Sequence, residues 1–183
     1  MPTLTLIAGP NGSGKSTLTR TIGFEGRERL LDPDAIAREL NPFNPSAAAI
    51  AAGRAVLTRT AEYLDRRVDF AVETTLSSSH WQVLIQNAKS RGFAVHLIFV
   101  ALETPERNVA RVKDRAALGG HFVPEPDVRR RYAKSLRNAG LALHMVDLAK
   151  LYDNSGNDAR LVLIARCGVI VWRVNPLPTW VCL

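Results

Sequence analysis

Residues 9–16 read Gly-Pro-Asn-Gly-Ser-Gly-Lys-Ser and meet the pattern G-x-x-x-x-G-K-[ST] at every fixed position. The run before them, Thr3-Leu4-Thr5-Leu6-Ile7-Ala8, reads as a strand, and Lys15–Ile22 after them reads as a helix. A strand, a glycine-rich loop and a helix in that order give the pattern the context it needs. Gly9, Gly12 and Gly14 let backbone N–H groups turn inward around a phosphate, and the helix start adds partial positive charge. Lys15 then reaches the β- and γ-phosphates of a nucleotide, and the Ser16 hydroxyl can ligate Mg²⁺. Pro10, Asn11, Ser13 and Thr17 complete the expected cofactor loop. The competing reading, a glycine-rich turn that binds nothing, fits the motif but not its flanks.

Strand and helix signals alternate through the rest of the chain. Arg29-Leu30-Leu31 is a second short strand, closed by Asp32-Pro33-Asp34, where Asp32 suits an N-cap and Pro33 the first helical position. A long helix is predicted from about Ser46 to Arg67, with Ile50, Leu57, Ala61 and Leu64 on one face. Asp69–Val72 is a third strand, Trp81–Arg91 a helix, and Val95–Leu102 an apolar strand of the kind buried on both faces. A helix after Thr104-Pro105 breaks at Gly119-Gly120, and another carries Val128, Tyr132, Leu136, Ala139, Leu143 and Val146. Leu151-Tyr152 ends a strand at Asp153-Asn154-Ser155, and residues 161–174 read as a β-hairpin around Cys167-Gly168. Alternation of this kind predicts a single α/β domain over residues 1–183. Its parallel sheet has about five strands and helices on both faces, with a C-terminal hairpin appended. Ligands bind beyond the C-terminal strand ends of such sheets, where the glycine loop, Asp32/Asp34, Glu73-Thr74-Thr75 and Asp153-Asn154-Ser155 would converge.

The chain has 183 residues, 46% of them hydrophobic, which excludes a disordered polypeptide. Its net charge is +7, and residues 105–140 alone hold nine Lys/Arg against four Asp/Glu. One segment thus carries most of the excess, as a region facing a polyanion would. Few aromatic residues interleave with these charges, which argues against nucleic acid as the partner. The two cysteines, Cys167 and Cys182, form no metal or redox spacing, and the chain opens on a strand with no signal-peptide pattern. The apolar stretch 161–174 is interrupted by Arg166 and Gly168 and is too short to span a bilayer. A cytoplasmic, membrane-free protein is expected.

Phosphoryl transfer to an alcohol needs a carboxylate near the acceptor hydroxyl and cations around the moving phosphoryl group. Asp34, three residues past a strand end, is the candidate base; charge in a helix first turn is its competing role. Asp32 reads first as a cap. Glu73 stands where many phosphate-loop enzymes carry an acidic residue, and could hold Mg²⁺ through water or bind a substrate hydroxyl. Arg107, Arg111 and Arg115 recur every four residues on one helix face, just before the glycine hinge. Arginines flanking such a hinge suit a lid, at about residues 111–131, that closes on nucleotide. Arg111 and Arg115 are assigned that role, and Arg107, Lys134 and Arg137 a solvated surface.

Several of these stretches together resemble the zeta toxin family of phosphate-loop kinases. They are Gly9–Thr17, Leu31-Asp32-Pro33-Asp34, Val72-Glu73-Thr74-Thr75-Leu76, Gly119-Gly120-His121-Phe122-Val123-Pro124 and Arg130-Arg131-Tyr132. The resemblance covers about residues 3–155. It implies a P-loop NTPase fold of the nucleoside-monophosphate-kinase-like type, with the lid after the fourth strand, and an ATP-dependent phosphotransferase with an alcohol acceptor. ATP and Mg²⁺ are the implied cofactors, and Asn154 joins residues 9–17 on the nucleotide side. Lys15, Asp34, Arg111 and Arg115 would be catalytic. Asp34, Glu73, Thr74, Thr75 and His121 would face the substrate, with Ser16 on the metal. His121 stands where the family pattern has a second arginine, and Arg115 is expected to substitute. Family toxins phosphorylate the sugar 3′-hydroxyl of UDP-N-acetylglucosamine, and a separate antitoxin protein is a partner the resemblance allows. A kinase for a nucleoside or sugar acid, or a nucleotide-binding regulatory module with little transfer activity, are the alternatives.

Overall fold

The computed structural model describes residues 1–118, 120 and 122–181. Five strands run parallel: β1 (Thr3–Ala8), β2 (Leu30–Leu31), β3 (Phe70–Thr74), β4 (Ala94–Ala101) and β5 (Leu148–Asp153). β6 (Arg160–Arg166) and β7 (Val169–Arg173) then return antiparallel. The order across the sheet is β2-β3-β1-β4-β5-β6-β7. The expected five parallel strands are present, but the C-terminal hairpin extends the same sheet to seven. Its tight turn is made by Cys167 and Gly168, both at positive φ (49° and 80°), the backbone a two-residue hairpin loop requires.

Helices cover both faces: α1 (Lys15–Thr21), α2 (Pro33–Leu40), α3 (Ala49–Arg66), α4 (His80–Ser90), α5 (Pro105–Ala117) and α6 (Glu125–Leu143). β4 shows why. Leu97, Phe99 and Ala101 point into a large core with residues of α3, α4 and α6, while Ile98 and Val100 point the other way against Leu18 of α1. With both faces buried, β4 has no room for the polar alternation of a half-exposed strand.

The long third helix differs from its predicted face. Leu64 is buried, but Ile50 and Leu57 are 74% and 68% exposed, and the inward row is Ala52, Val56, Thr60 and Leu64. Residues 45–48 form a separate 3₁₀ turn, so the helix begins later and the four-residue row of small and branched residues sets its packing.

Register delivers the site. Leu31 pairs with Val72, and Ile7 and Ala8 pair with Glu73 and Thr74. The chain therefore leaves β1, β2 and β3 at one level, placing the glycine loop, Asp32 and Glu73 side by side. Ala101 pairs with Asp153, which brings Asn154 to the same edge.

Candidate active site

The glycine loop packs tightly against α5 and Asn154. Gly12 and Gly14 have φ of 75° and 93°, and a Cβ on them would meet the Asn108 carbonyl oxygen at 2.7 Å and Asn154 Nδ2 at 2.1 Å. Only glycine satisfies both the dihedral and the space. Two amides hold the loop from outside: Asn108 Nδ2 donates to the Asn11 carbonyl at 2.6 Å, and Asn154 Nδ2 donates to the Ser13 carbonyl at 2.8 Å. Lys15 is buried, and its ammonium donates to the carbonyls of Gly9 and Pro10 at 2.9 and 3.2 Å.

Beyond the strand ends lies a crevice of about 570 Å³. Its floor is the loop, represented by Asn11, Gly12, Gly14, Lys15, Ser16 and Thr17. Its acidic wall holds Asp32, Asp34 and Glu73, with Thr74 and Thr75. Asp32 accepts from the Asp34 backbone N–H at 2.9 Å and so caps α2. The Asp34 carboxylate, one residue into the helix, has no hydrogen-bond or ionic partner among the described residues. Glu73 lies 3.6 Å from Lys15, and its other oxygen accepts from Ser16 Oγ at 3.4 Å. Burial still holds its carboxyl above the ordinary glutamate range, against the pull of Lys15 and with a push from Asp32 and Asp34. Thr74 Oγ1 accepts from the Leu76 N–H at 3.1 Å, and the Thr75 and Ser77 hydroxyls bond each other at 2.8 Å. Leu76 itself is wholly buried at φ 57°, pinned by Asn138 Nδ2 on its carbonyl at 2.7 Å. A branched residue held in the left-handed region beside a site stores strain there.

Arginines form the opposite wall. Arg111 donates to the Asn154 carbonyl at 3.0 Å, and Arg115 and Arg131 also line the crevice. The end of α5 folds back tightly: the Gly120 N–H donates to the Arg115 carbonyl at 2.9 Å, and a Cβ on Gly120 would meet Arg115 Cγ at 2.6 Å. His121, expected on the substrate side, lies outside the described residues, as do Gly119 and Cys182. Three other cations of the segment are exposed and paired: Lys113 with Glu125, Arg129 with Glu106 and Glu125, Arg130 with Asp127. Arg107 is not merely solvated as expected. It donates to the Ser155 carbonyl, because α5 starts beside the end of β5.

Arg131 was quoted in the family-like stretch but given no role by the sequence. Its guanidinium reaches Asn11 Oδ1 at 3.3 Å. The signal was its spacing: Arg131 stands three after the buried Val128 and four before the buried Ser135, on the inward flank of α6. Asn108 had no sequence signal, since a buried amide in a charged helix looks like any polar residue.

Fold and crevice together define a phosphate-loop α/β protein with acidic and cationic walls facing each other across the loop. The zeta toxin family model matches residues 1–157, and the chain belongs to that family. An uncharacterized protein of Haemophilus influenzae is 40% identical over 124 residues, covering 68% of this chain and 88% of that one. A chain of the AvrRxo1-ORF1:-ORF2 crystal structure with ATP superposes with a TM-score of 0.72 at 17% identity over 93% of this chain. The present chain spans 60% of that chain's length. A structure of the PezAT chromosomal toxin-antitoxin system of Streptococcus pneumoniae superposes with a TM-score of 0.64 at 16% identity, covering 90% of this chain and 72% of that one. No helix among the described residues is long and apolar enough to cross a membrane.

Proposed function

We propose that this protein is an ATP-dependent kinase that transfers the γ-phosphoryl group to a hydroxyl of a small metabolite. The observation that carries the reading is the opposition of Asp34, an unpaired carboxylate, to Arg111, Arg115 and Arg131 across a glycine loop. A regulatory nucleotide binder needs the loop and the cations; it does not need a carboxylate set aside on the acceptor side. Family membership and the ATP named for an AvrRxo1-ORF1:-ORF2 structure support the choice of nucleotide.

The residues present suit ATP and Mg²⁺. The loop leaves no room for side chains at Gly12 and Gly14, Lys15 stands at its mouth, and Ser16 offers a hydroxyl beside Glu73. When bound, ATP supplies the phosphoryl group and Mg²⁺ screens its oxygens. Lys15 exchanges its two carbonyl acceptors for phosphate oxygens. Asp34 orients the acceptor hydroxyl and takes its proton. Glu73, Thr74 and Thr75 bind the acceptor's other polar groups. Arg111, Arg115 and Arg131 meet the charge that develops on the moving phosphoryl group, where preorganised cations contribute most.

UDP-N-acetylglucosamine is the first acceptor to test, on the family resemblance. The names of the structural neighbours support a separate antitoxin protein as a partner, and the cytoplasm as the working compartment follows from the same reading. The test is an ATP-consumption screen over hydroxylated metabolites that includes UDP-N-acetylglucosamine, with the product identified by phosphorus NMR. Acceptor-stimulated turnover that Asp34→Asn abolishes supports the reading. ATP binding with no stimulated turnover by any acceptor removes it in favour of a binding module.

A further inference from the structure

A smaller cleft of about 70 Å³ opens off the crevice. The two share Pro33 and Asp34, so a molecule with its hydroxyl at Asp34 can extend into the cleft without leaving the protein. Ala37, Arg38, Pro45, Ala49 and Gly120 complete the lining. Arg38 follows Asp34 by four residues on α2, which puts both on one helix face, a turn apart. On α5 and α6, Arg107 is paired with a carbonyl and Arg129 and Arg130 with carboxylates. Arg38 is exposed and has no hydrogen-bond or ionic partner among the described residues, and among them it is the one cation lining a cleft whose other walls are Asp34, two prolines, two alanines and a glycine. The volume is that of roughly two water molecules, enough for one small anionic group and too small for a sugar ring or a base.

We propose that the acceptor carries an anionic group, a carboxylate or a phosphoryl, and that Arg38 binds it in this cleft while Asp34 holds the hydroxyl to be phosphorylated. The inference rests on the kinase reading above and narrows its substrate class. A guanidinium offers two parallel donors to either anion. The acceptor is therefore a hydroxy acid or a phosphorylated alcohol whose anion reaches about one helical turn along α2 from its reacting hydroxyl. Arg38 could instead serve only as a cation near the end of α2, complementing the helix dipole; that role predicts no effect on acceptor use.

The test has two arms. In the first, acceptors are offered as matched sets: glucose, gluconate and glucose 6-phosphate; ribose and ribose 5-phosphate. The charged members should be used in preference to the neutral ones, and the comparison of gluconate with glucose 6-phosphate tells carboxylate from phosphoryl. Arg38→Gln should raise KM for the charged acceptor roughly 10- to 100-fold, with kcat changed far less. Arg38→Lys should recover part of that loss. Ala49→Leu, which fills the cleft without touching a charge, should also raise KM. Arg54→Gln, an exposed position on α3 outside both cavities, is the control. In the second arm, orthophosphate and acetate are titrated into protein whose loop is filled by ADP and Mg²⁺, following the arginine side-chain N–H signals by NMR. The signal lost in Arg38→Gln should move and saturate. Neutral acceptors used as well as charged ones, or KM unmoved by Arg38→Gln, overturns the proposal. If no acceptor in the sets turns over, a stationary Arg38 signal overturns it alone. Failure of the kinase reading shows separately, as ATP consumption that Lys15→Ala leaves intact.

Discussion

The Lys15 ammonium and the Glu73 carboxylate lie 3.6 Å apart, with only 8% and 14% of their side chains exposed. They come from different elements, the first turn of α1 and the end of β3, so the pair ties the phosphate loop to the acceptor side. The same ammonium also donates to Gly9 and Pro10. Lys15 is therefore held in place before nucleotide arrives, by acceptors it can exchange for phosphate oxygens.

Lys15→Ala removes the charge that meets the phosphates and leaves the loop glycines untouched. Turnover of ATP should fall about 10²–10³-fold or more, the usual loss for one preorganised transition-state donor. The fold should survive, because the loop stays bound through Asn108 and Asn154. Steady-state kinetics beside a thermal melt checks this. A folded variant with unchanged turnover would falsify the role given to the loop.

Glu73 gives a pH prediction whose sign follows from its raised pKa. Burial lifts the folded value above the unfolded one. Between those two values the folded state binds more protons than the unfolded state, so stability declines as pH rises through that window. Above it, the buried charge is a standing cost to the nucleotide-free protein. Glu73→Gln should melt higher than the parent at neutral pH, and the difference should shrink as pH falls toward the ordinary glutamate range. Acceptor-dependent turnover of the same variant should drop, since the amide no longer accepts through two oxygens. A variant that melts lower at neutral pH than at acid pH, relative to the parent, would show that the Lys15 pairing outweighs burial.

How much of this was legible before the fold was known differs by residue. The Gly9–Ser16 pattern fixed a strand, a turn and a helix locally, and the alternation of apolar runs supplied the parallel sheet. Val95–Leu102 announced itself as a central strand because both its faces are apolar. Asp32 was legible as a cap because Asp before Pro marks a helix start, and it accepts from the Asp34 N–H. The face of α3 was misread, since Ile50 and Leu57 are large and apolar while the residues that pack inward include Ala52 and Thr60. Periodicity weighs hydrophobicity, and here close helix packing selects small side chains instead. Arg131 and Asn108 escaped because their importance lies in contacts to Asn11 from 120 and 97 residues away. No local pattern encodes a hydrogen bond of that range.

The two aspartates of α2 can be separated by experiment. Asp34→Asn keeps the size of the side chain and loses proton acceptance, so acceptor phosphorylation should fall about 10²–10⁴-fold with little change in ATP affinity. Asp32→Asn retains an oxygen for the Asp34 N–H, and asparagine caps about as well as aspartate. It should melt close to the parent and keep most of the activity. Should Asp32→Asn prove the more damaging at equal stability, the base is Asp32 and the cap is incidental.

The arginines divide by where they point. Arg115 and Arg131 line the crevice from two helices on either side of the glycine-containing connection, and Arg137, six residues further along α6, is exposed outside it. Arg115 answers to developing charge, so Arg115→Ala should lower kcat more than it weakens ATP binding. Arg131 also holds the Asn11 side chain; Arg131→Ala should therefore weaken ATP binding as well as slow transfer, because the loop loses a tether. Asn11→Ala combined with Arg131→Ala should cost less than the sum of the two single losses, as expected for residues that act through one contact. Arg137→Ala should change neither constant. Charge alone does not replace a guanidinium that can hold two phosphoryl oxygens, so Arg115→Lys should restore only part of the rate. Measured kcat and ATP Kd across these variants test the assignment. If Arg115→Ala and Arg137→Ala behave alike, the basic segment is a solvated surface and no lid closes over the nucleotide.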